Sequence, residues 1–552
     1  MDVVIDLKGQ TWTSTCQTFR IGASVDVTIV DSTGNGVVAS KATASRNGGI
    51  VQYTGNGTLN IKGGTYKLTD DNVFAAGNTG ALISFNASAK GTLNVSGGTF
   101  IGGNAKTGGI LHANAATVNI SGGEFFPGTA TDGGDSLYLT GSAGVATISG
   151  GTIHGGVQVG SAKVTVEGTP VILKQENGSA YSLKGKLVVG ELAEGAQIGI
   201  TTTEDGEFTT KFATPNAAAA AAKFFVADEA GKEVKASGTE LVVQTPVDIA
   251  TVACNCEVCQ GAVPAWTAWN GEDITAGGHY YVAEDIAVSD VIGMGNVDGE
   301  NFTIVFNLNG KTVSSTVAKK VFQVKGGDTM IIVDSSAQGT GTVIGNPGTS
   351  HAGVIQVYGG NLVVEAGNFY LSSDKTTTIK GGIAYASSGG TITVHGGEFW
   401  GGNYAEGGVF SQSTGNMEIT GGIIHAGTAT NGDSVFYKGV EGNVVIGGTA
   451  VIEGGVQIDS AATVTISGKP VIEKVKNGSA YSLKLAQGVV LTVGTLEEDA
   501  KIAVTAADGA ITTAFADAAA AEAAKAFFAA DDEAKEIQIV DLALVLAAKA
   551  AQ

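Results

Sequence analysis

The residues best equipped for chemistry are few and unevenly placed. Three cysteines fall within six positions, Cys254, Cys256 and Cys259, while Cys16 stands alone near the start. Thiolates this close together suit zinc, whose structural sites take four sulfur or nitrogen ligands. The segment supplies three, and His279, twenty residues on, could be the fourth. The same spacing admits a disulfide such as Cys254 to Cys259, or free thiols. These alternatives stay open, so a metal site is neither assigned nor excluded, and Cys16 has no evident partner.

The other reactive types form no constellation. The histidines are His112, His154, His279, His351, His395 and His425, and none fits the spacing of a helical metal-binding pair. They read as strand-face or corner residues. Asp70-Asp71 is the obvious carboxylate pair, but neighbours on a strand point to opposite faces, and acid-base work needs two carboxylates on one face. The matching stretch Ser372-Ser373-Asp374 does not repeat the pair. No catalytic residue and no cofactor site is expected, and the chain reads as a non-enzyme. Asn-x-Ser/Thr triplets such as those at Asn94 and Asn119 follow from a strand composition rich in Thr, Ser and Asn.

Charge narrows the partners. The formal net charge is −21, and charged residues are only 15% of the chain. Arginine occurs twice, at Arg20 and Arg46. Nucleic acid and anionic membranes require clustered cations, so neither is expected as a partner. No apolar run approaches the roughly 18 residues of a spanning helix, so membrane insertion is not expected. Met1-Asp2-Val3-Val4 lacks the basic start and apolar run of a secretion signal, which implies a removed signal or a different biological start.

The elements that must carry these residues are written as repeats. Asn177-Gly178-Ser179-Ala180-Tyr181-Ser182-Leu183-Lys184 returns unchanged at 477–484, and other segments return in the same order at offsets of 297 to 303. The reading is module 1 at 1–248, a cysteine-containing joint at 249–261 and module 2 at 262–552. Within each module a shorter unit recurs. Thr92-Leu93-Asn94-Val95-Ser96-Gly97-Gly98-Thr99-Phe100 is answered by Thr117-Val118-Asn119-Ile120-Ser121-Gly122-Gly123-Glu124-Phe125, and module 2 carries the same pattern around Gly396-Gly397 and Gly421-Gly422. Alternation of apolar and polar residues marks a half-buried strand. Gly-Gly then permits a sharp corner, and one more apolar residue turns inward.

One such coil of 25 to 34 residues cannot bury its own inner face, whereas stacked coils can. The expected fold is all-β: two tandem right-handed parallel β-helices, with inward Val, Ile and Leu. Each module closes with an alanine-rich helix and a strand. Asn216 and Asp517 are the expected helix N-caps, and Glu240 to Val243 and Ile537 to Val540 the closing strands.

The joint, with Trp266-Thr267-Ala268-Trp269, Ile274 to Tyr281 and Phe306 to Thr312, resembles the repetitive, pectate-lyase-like β-helix surface proteins of anaerobic Gram-positive bacteria. The resemblance implies an extracellular or cell-surface protein. Lyases of similar fold use a calcium cluster and an arginine or lysine base, but Arg20 and Arg46 lie outside the Gly-Gly coils. The functional expectation is a structural subunit of an extracellular fibre or surface layer, a homo-oligomer or filament. Val3 to Thr11 already matches Ile304 to Thr312, so module 1 lacks the lead-in of Ala262 to Asn301. The exposed edge of its first coil would accept a neighbour's segment around Ile537 to Leu546, or a joint-like segment upstream of Met1 would cover it. The alternative is an adhesin whose flank binds polysaccharide, with Phe125, Phe126, Phe399, Trp400, Tyr404 and Tyr437 as candidate platforms.

Overall fold

The computed structural model describes residues 2–549, except 24, 42–46, 70–77, 86–89, 177, 255–258, 296–299, 349–350, 374–379 and 476–477. Asp70, Asp71, Arg46, Cys256 and Asp374 therefore lie outside the described residues. The chain forms two compact units, Met1–Pro246 and Val247–Gln552. Both are β-solenoids.

In the first unit, Asp2–Asp6, Asp26–Val30, Thr58–Ile61, Thr92–Ile101, Thr117–Phe126 and Val145–Ile153 pair in parallel, each with the strand one coil on. A second parallel sheet runs from Phe19–Ile21 through Leu111–Asn114 to Leu183–Lys184. The register matches like with like: Thr92 faces Thr117, Leu93 faces Val118 and Phe100 faces Phe125. Alternation decides the rest. Leu59, Ile61, Leu93, Val95, Val118 and Ile120 are at most 1% exposed. Each buried side chain of this size contributes roughly 1.5–3 kcal/mol, so stacking supplies the stability that a lone coil lacks. The residue after Gly-Gly-x also turns inward, and Tyr66, Phe100 and Phe125 form a column of stacked rings 5.0 and 4.7 Å apart. That spacing is the strand separation itself. On the outer face Asn119 donates to Asn94, and Asn94 to Asn60, each at 2.8 Å. The triplet asparagines are thus rungs of a side-chain ladder.

In the second unit Gly396-Gly397 is a corner as expected: Thr391–Val394 ends before it and Glu398–Trp400 joins the other sheet. The pairs at 97–98 and 122–123 of the first unit differ from simple corners. Thr92–Ile101 and Thr117–Phe126 continue straight through them, with a shift of register at the glycines. The two glycines serve separate needs. Gly98 holds φ at +102°, which L-residues avoid. At Gly97 an added Cβ would lie 2.7 Å from the Lys62 carbonyl oxygen of the preceding coil. One glycine permits the bend and the other permits close stacking.

In the second unit a ten-stranded parallel sheet starts with Trp266–Trp269 and Gly278–Val282 and continues through Thr303–Asn307 to Leu491–Leu496. The first two strands are the lead-in, and Trp269 packs edge-on against Phe306 at 5.1 Å.

Each unit closes with a short helix and an antiparallel hairpin. Helix α1 is Pro215–Ala222 and helix α2 is Ala518–Lys525. Asp517 caps α2, accepting from the Ala520 N–H at 2.8 Å. The cap of α1 is Thr214 rather than Asn216. Pro215 explains the shift: its fixed φ and missing N–H suit the first helical position, which places the cap one residue earlier. Strand Glu240–Gln244 pairs with Glu233–Ser237, and Lys535–Val540 with Ala543–Ala548.

Candidate functional site

The octapeptide shared by the units builds the clamp between the last coils and the closing unit. Ser182 donates to Asp228 through its N–H and its Oγ, both at 2.6 Å, and Thr201 Oγ1 adds a third bond at 2.5 Å. Ser482, Thr505 and Asp531 repeat the arrangement at 2.7, 2.8 and 2.7 Å. Tyr181 and Tyr481 each accept the N–H of a coil glycine, Gly134 and Gly432. The serine and tyrosine bonds here all go to the fold itself, which gives the unchanged sequence an architectural cause.

Two outward-facing clusters are different. The first is a row of histidines and glutamates, one coil apart. Glu365 meets His395 at 3.0 Å, and His425 lies between Glu398 at 2.8 Å and Glu453 at 2.9 Å. Burial pulls the His425 pKa down. Hydrogen bonds donated by its ring to both glutamates, and their charges, outweigh that and raise it to about 9. His425 is therefore an imidazolium at neutral pH. In the first unit Glu124 meets His154 at 3.1 Å. His112 behaves oppositely: burial lowers its pKa to about 4, and its Nδ1 lies 2.6 Å from Thr107 Oγ1. A coil period of 27 to 30 residues would have revealed the His–Glu pairs, had it been applied to charged residues as well as apolar ones.

Four of the six candidate aromatic platforms are core. Phe125, Phe399, Tyr404 and Tyr437 are at most 4% exposed. Phe126 and Trp400 face outward, but each stacks on a histidine: Phe126 on His154 at 4.5 Å and Trp400 on His425 at 5.0 Å. Tyr370 meets Trp400 edge-on from the preceding coil. These rings are rungs in a column, with faces already in contact.

The second cluster lies on the outer face of the first coils of the second unit. Trp266, His279 and Val305 are aligned on three successive strands, with Ile331 next. Across this column runs the joint. Cys254 is 3% exposed and packs with Val305 and Ile331, while Cys259, Trp266, Val333 and Val363 border the same apolar cluster. Backbone bonds close the joint into a loop: the Gly261 N–H to the Cys254 carbonyl, the Cys254 N–H to Ala262, and the Ala262 N–H to Cys259, at 2.9 to 3.0 Å. Within it Cys259 Sγ and His279 Nε2 stand 2.9 Å apart. Burial lowers the pKa of His279, and Trp266 meets its ring edge-on. A cleft of about 290 Å³ adjoins, lined by Cys254, Trp266, Asn307, Asp334, Ser335 and Glu365 among others. Among the described residues no group of three His, Cys, Asp or Glu is already gathered as a metal site. Cys16 is exposed, and Arg20 lies exposed on Phe19–Ile21.

The chain matches no protein-family model, no curated protein and no solved structure in the comparisons made with each. Among the described residues no helix is long and apolar enough to cross a membrane.

Proposed function

We propose that the chain is a non-enzymatic structural subunit of an extracellular fibre or surface layer, extended head-to-tail through the ends of its β-helices. Its repeats resemble those of β-helix surface proteins of anaerobic Gram-positive bacteria, which supports the location. One observation carries the reading. The first coil of each unit is built alike: the Gly9 N–H donates to Asp31 at 2.9 Å, and the Gly310 N–H to Asp334 at 2.8 Å. Their burial differs. Ile304 and Phe306 are fully buried beneath the lead-in strand Gly278–Val282, whereas the matching Val3 and Ile5 are only half-buried. In a chain that starts at Met1, a neighbour's strand laid against Asp2–Asp6 would complete that coil. Of the segment expected to reach a neighbour, Ala543–Ala548 already has partners on both sides, Gly509–Ala510 and Lys535–Val540. Lys535–Val540 is the longer of the two edge strands of this sheet, and Val540 on it is 47% exposed.

Electron microscopy and sedimentation velocity over a concentration series test the reading. Rods that lengthen with concentration are expected. Fusing a copy of residues 249–302 ahead of Asp2 should cap the coil and abolish them. A monomer at every concentration, or rods unaffected by the fusion, would overturn the reading.

Polysaccharide binding along the flank is the second reading. It is favoured by the row of Glu398, His425 and Glu453, which offers charged hydrogen-bonding groups at coil spacing. With the ring faces of Phe126 and Trp400 engaged, a sugar chain would meet ring edges and these polar groups. A glycan array on which His425→Gln and Trp400→Ala bind as the parent does would remove it.

A further inference from the structure

We propose that the joint holds a structural zinc ion, with Cys259 and His279 as paired ligands and the Cys254 thiol drawn in beside them. Three features of the cluster support this.

The first is donor chemistry. A thiol sulfur and an imidazole nitrogen face each other at 2.9 Å, on elements twenty residues apart in sequence. Cys259 comes from the joint and His279 from the strand Gly278–Val282. Sulfur with nitrogen is the donor set that selects zinc over the hard cations.

The second is the loop. Two backbone bonds, from the Gly261 N–H to the Cys254 carbonyl and from the Cys254 N–H to the Ala262 carbonyl, hold Cys254 beside Gly261 and Ala262, so the two described thiols reach one apolar cluster. Two cysteines close in sequence, joined by a histidine from a neighbouring strand, supply three of the four donors that a structural zinc site takes.

The third is burial without a large core. Cys254, Val305 and Ile331 form a cluster separate from the main interior of the unit. A joint that crosses the outside of a solenoid has little apolar area with which to hold itself there. A metal that ties the joint to the first coils supplies the missing attachment. Binding would deprotonate the thiols, since the thiolate is the metal ligand.

A Cys–His pair of this kind could instead be an ordinary hydrogen bond, or the thiols could be oxidised, and the experiment separates these. The full chain is purified under reducing conditions without chelator, its zinc is measured by elemental mass spectrometry, and its thiols are counted after denaturation. About one zinc per chain is expected, with all thiols reduced. Cobalt exchanged into the site should show the ligand-field bands of a tetrahedral thiolate complex. His279→Gln and Cys259→Ser should each weaken zinc binding by more than the roughly 10–100-fold typical of losing an outer-shell partner. Cys16→Ser, remote and exposed, should leave it unchanged. Far-UV circular dichroism checks that the variants remain folded, and chelator titration of the parent gives the affinity without any substitution. A chain that neither retains nor takes up zinc would overturn the proposal. So would a disulfide within the joint in protein never exposed to oxidant, or zinc held equally well by His279→Gln.

Discussion

His425 shows what a single residue contributes when coils set its neighbours. Its pKa rises from the ordinary 6.5 to about 9 because the coils above and below each place a carboxylate on one ring nitrogen. A raised folded-state pKa stabilises fully below the unfolded value and is lost as pH climbs through the folded one. The contribution, on the order of 3–4 kcal/mol before allowance for solvent screening, should therefore fade between about pH 6.5 and 9. Calorimetry of His425→Gln should show its deficit relative to the parent shrinking across that window. A deficit independent of pH would mean that His425 acts through packing alone. Sequence reading had these histidines as plain strand-face residues. The pairing was hidden because Glu398 and His425 are 27 positions apart and become neighbours only once the coil length at that level is known.

Among the elements, the Gly-Gly bulge and the closing clamp carry the clearest expectations. Gly98→Val imposes a β-branched side chain on φ of +102° and places its Cβ 2.9 Å from the Gly64 carbonyl oxygen. The strain should be about 1–3 kcal/mol. It should stay local, because solenoid stability is nearly a nearest-neighbour sum. Hydrogen exchange should quicken in Thr58–Ile61 and Thr117–Phe126 and little beyond them; uniform loss across the unit would contradict this. Asp228→Asn removes a carboxylate that accepts three bonds from Ser182 and Thr201. It should cost about 1–3 kcal/mol and open the α1 hairpin unit to protease before the coils, whereas an unchanged cleavage pattern would show the clamp to be dispensable. Most strands were legible because the period-2 pattern states both element and face. Two details were not. In the first unit Thr92–Ile101 and Thr117–Phe126 pass through Gly-Gly because a bulge keeps the ladder that a corner would break, and the α1 cap moved to Thr214 because Pro215 outcompetes Asn216 for the start of the helix. The Cys259–His279 approach was half visible: the residue types were apparent, but their meeting depends on the joint folding back over the lead-in.

For the molecule as a whole, the proposed function predicts association through Asp2–Asp6 and Lys535–Val540. Val4→Lys places a cation on a strand whose side chain is already 71% exposed, so folding should be unaffected. A charge on an edge strand discourages pairing. The variant should keep the parent's melting temperature and shift assembly to higher concentration, and Val540→Lys should do the same from the other end. If only one of the two has an effect, the contact is not head-to-tail between these strands. The duplicated fold was written in the sequence at two periods, one of about 300 residues and one of 25 to 34. The difference in burial between the two first coils was not, because it depends on what lies against them.

The like-on-like register has a genetic consequence. Thr92 over Thr117 and Phe100 over Phe125 mean that each coil offers the same bonding row and the same ring slot upward and downward. A stretch of gene encoding one full coil, copied or deleted in frame by unequal recombination, would leave its flanking coils facing partners of the kind they already had. Length in such a chain is then a heritable variable, adjustable in whole steps, while the Asp228 and Asp531 clamps at the ends remain as they are. Populations carrying this gene should differ by entire coils far more often than by fractions of one, and sequencing the locus across isolates would show whether they do.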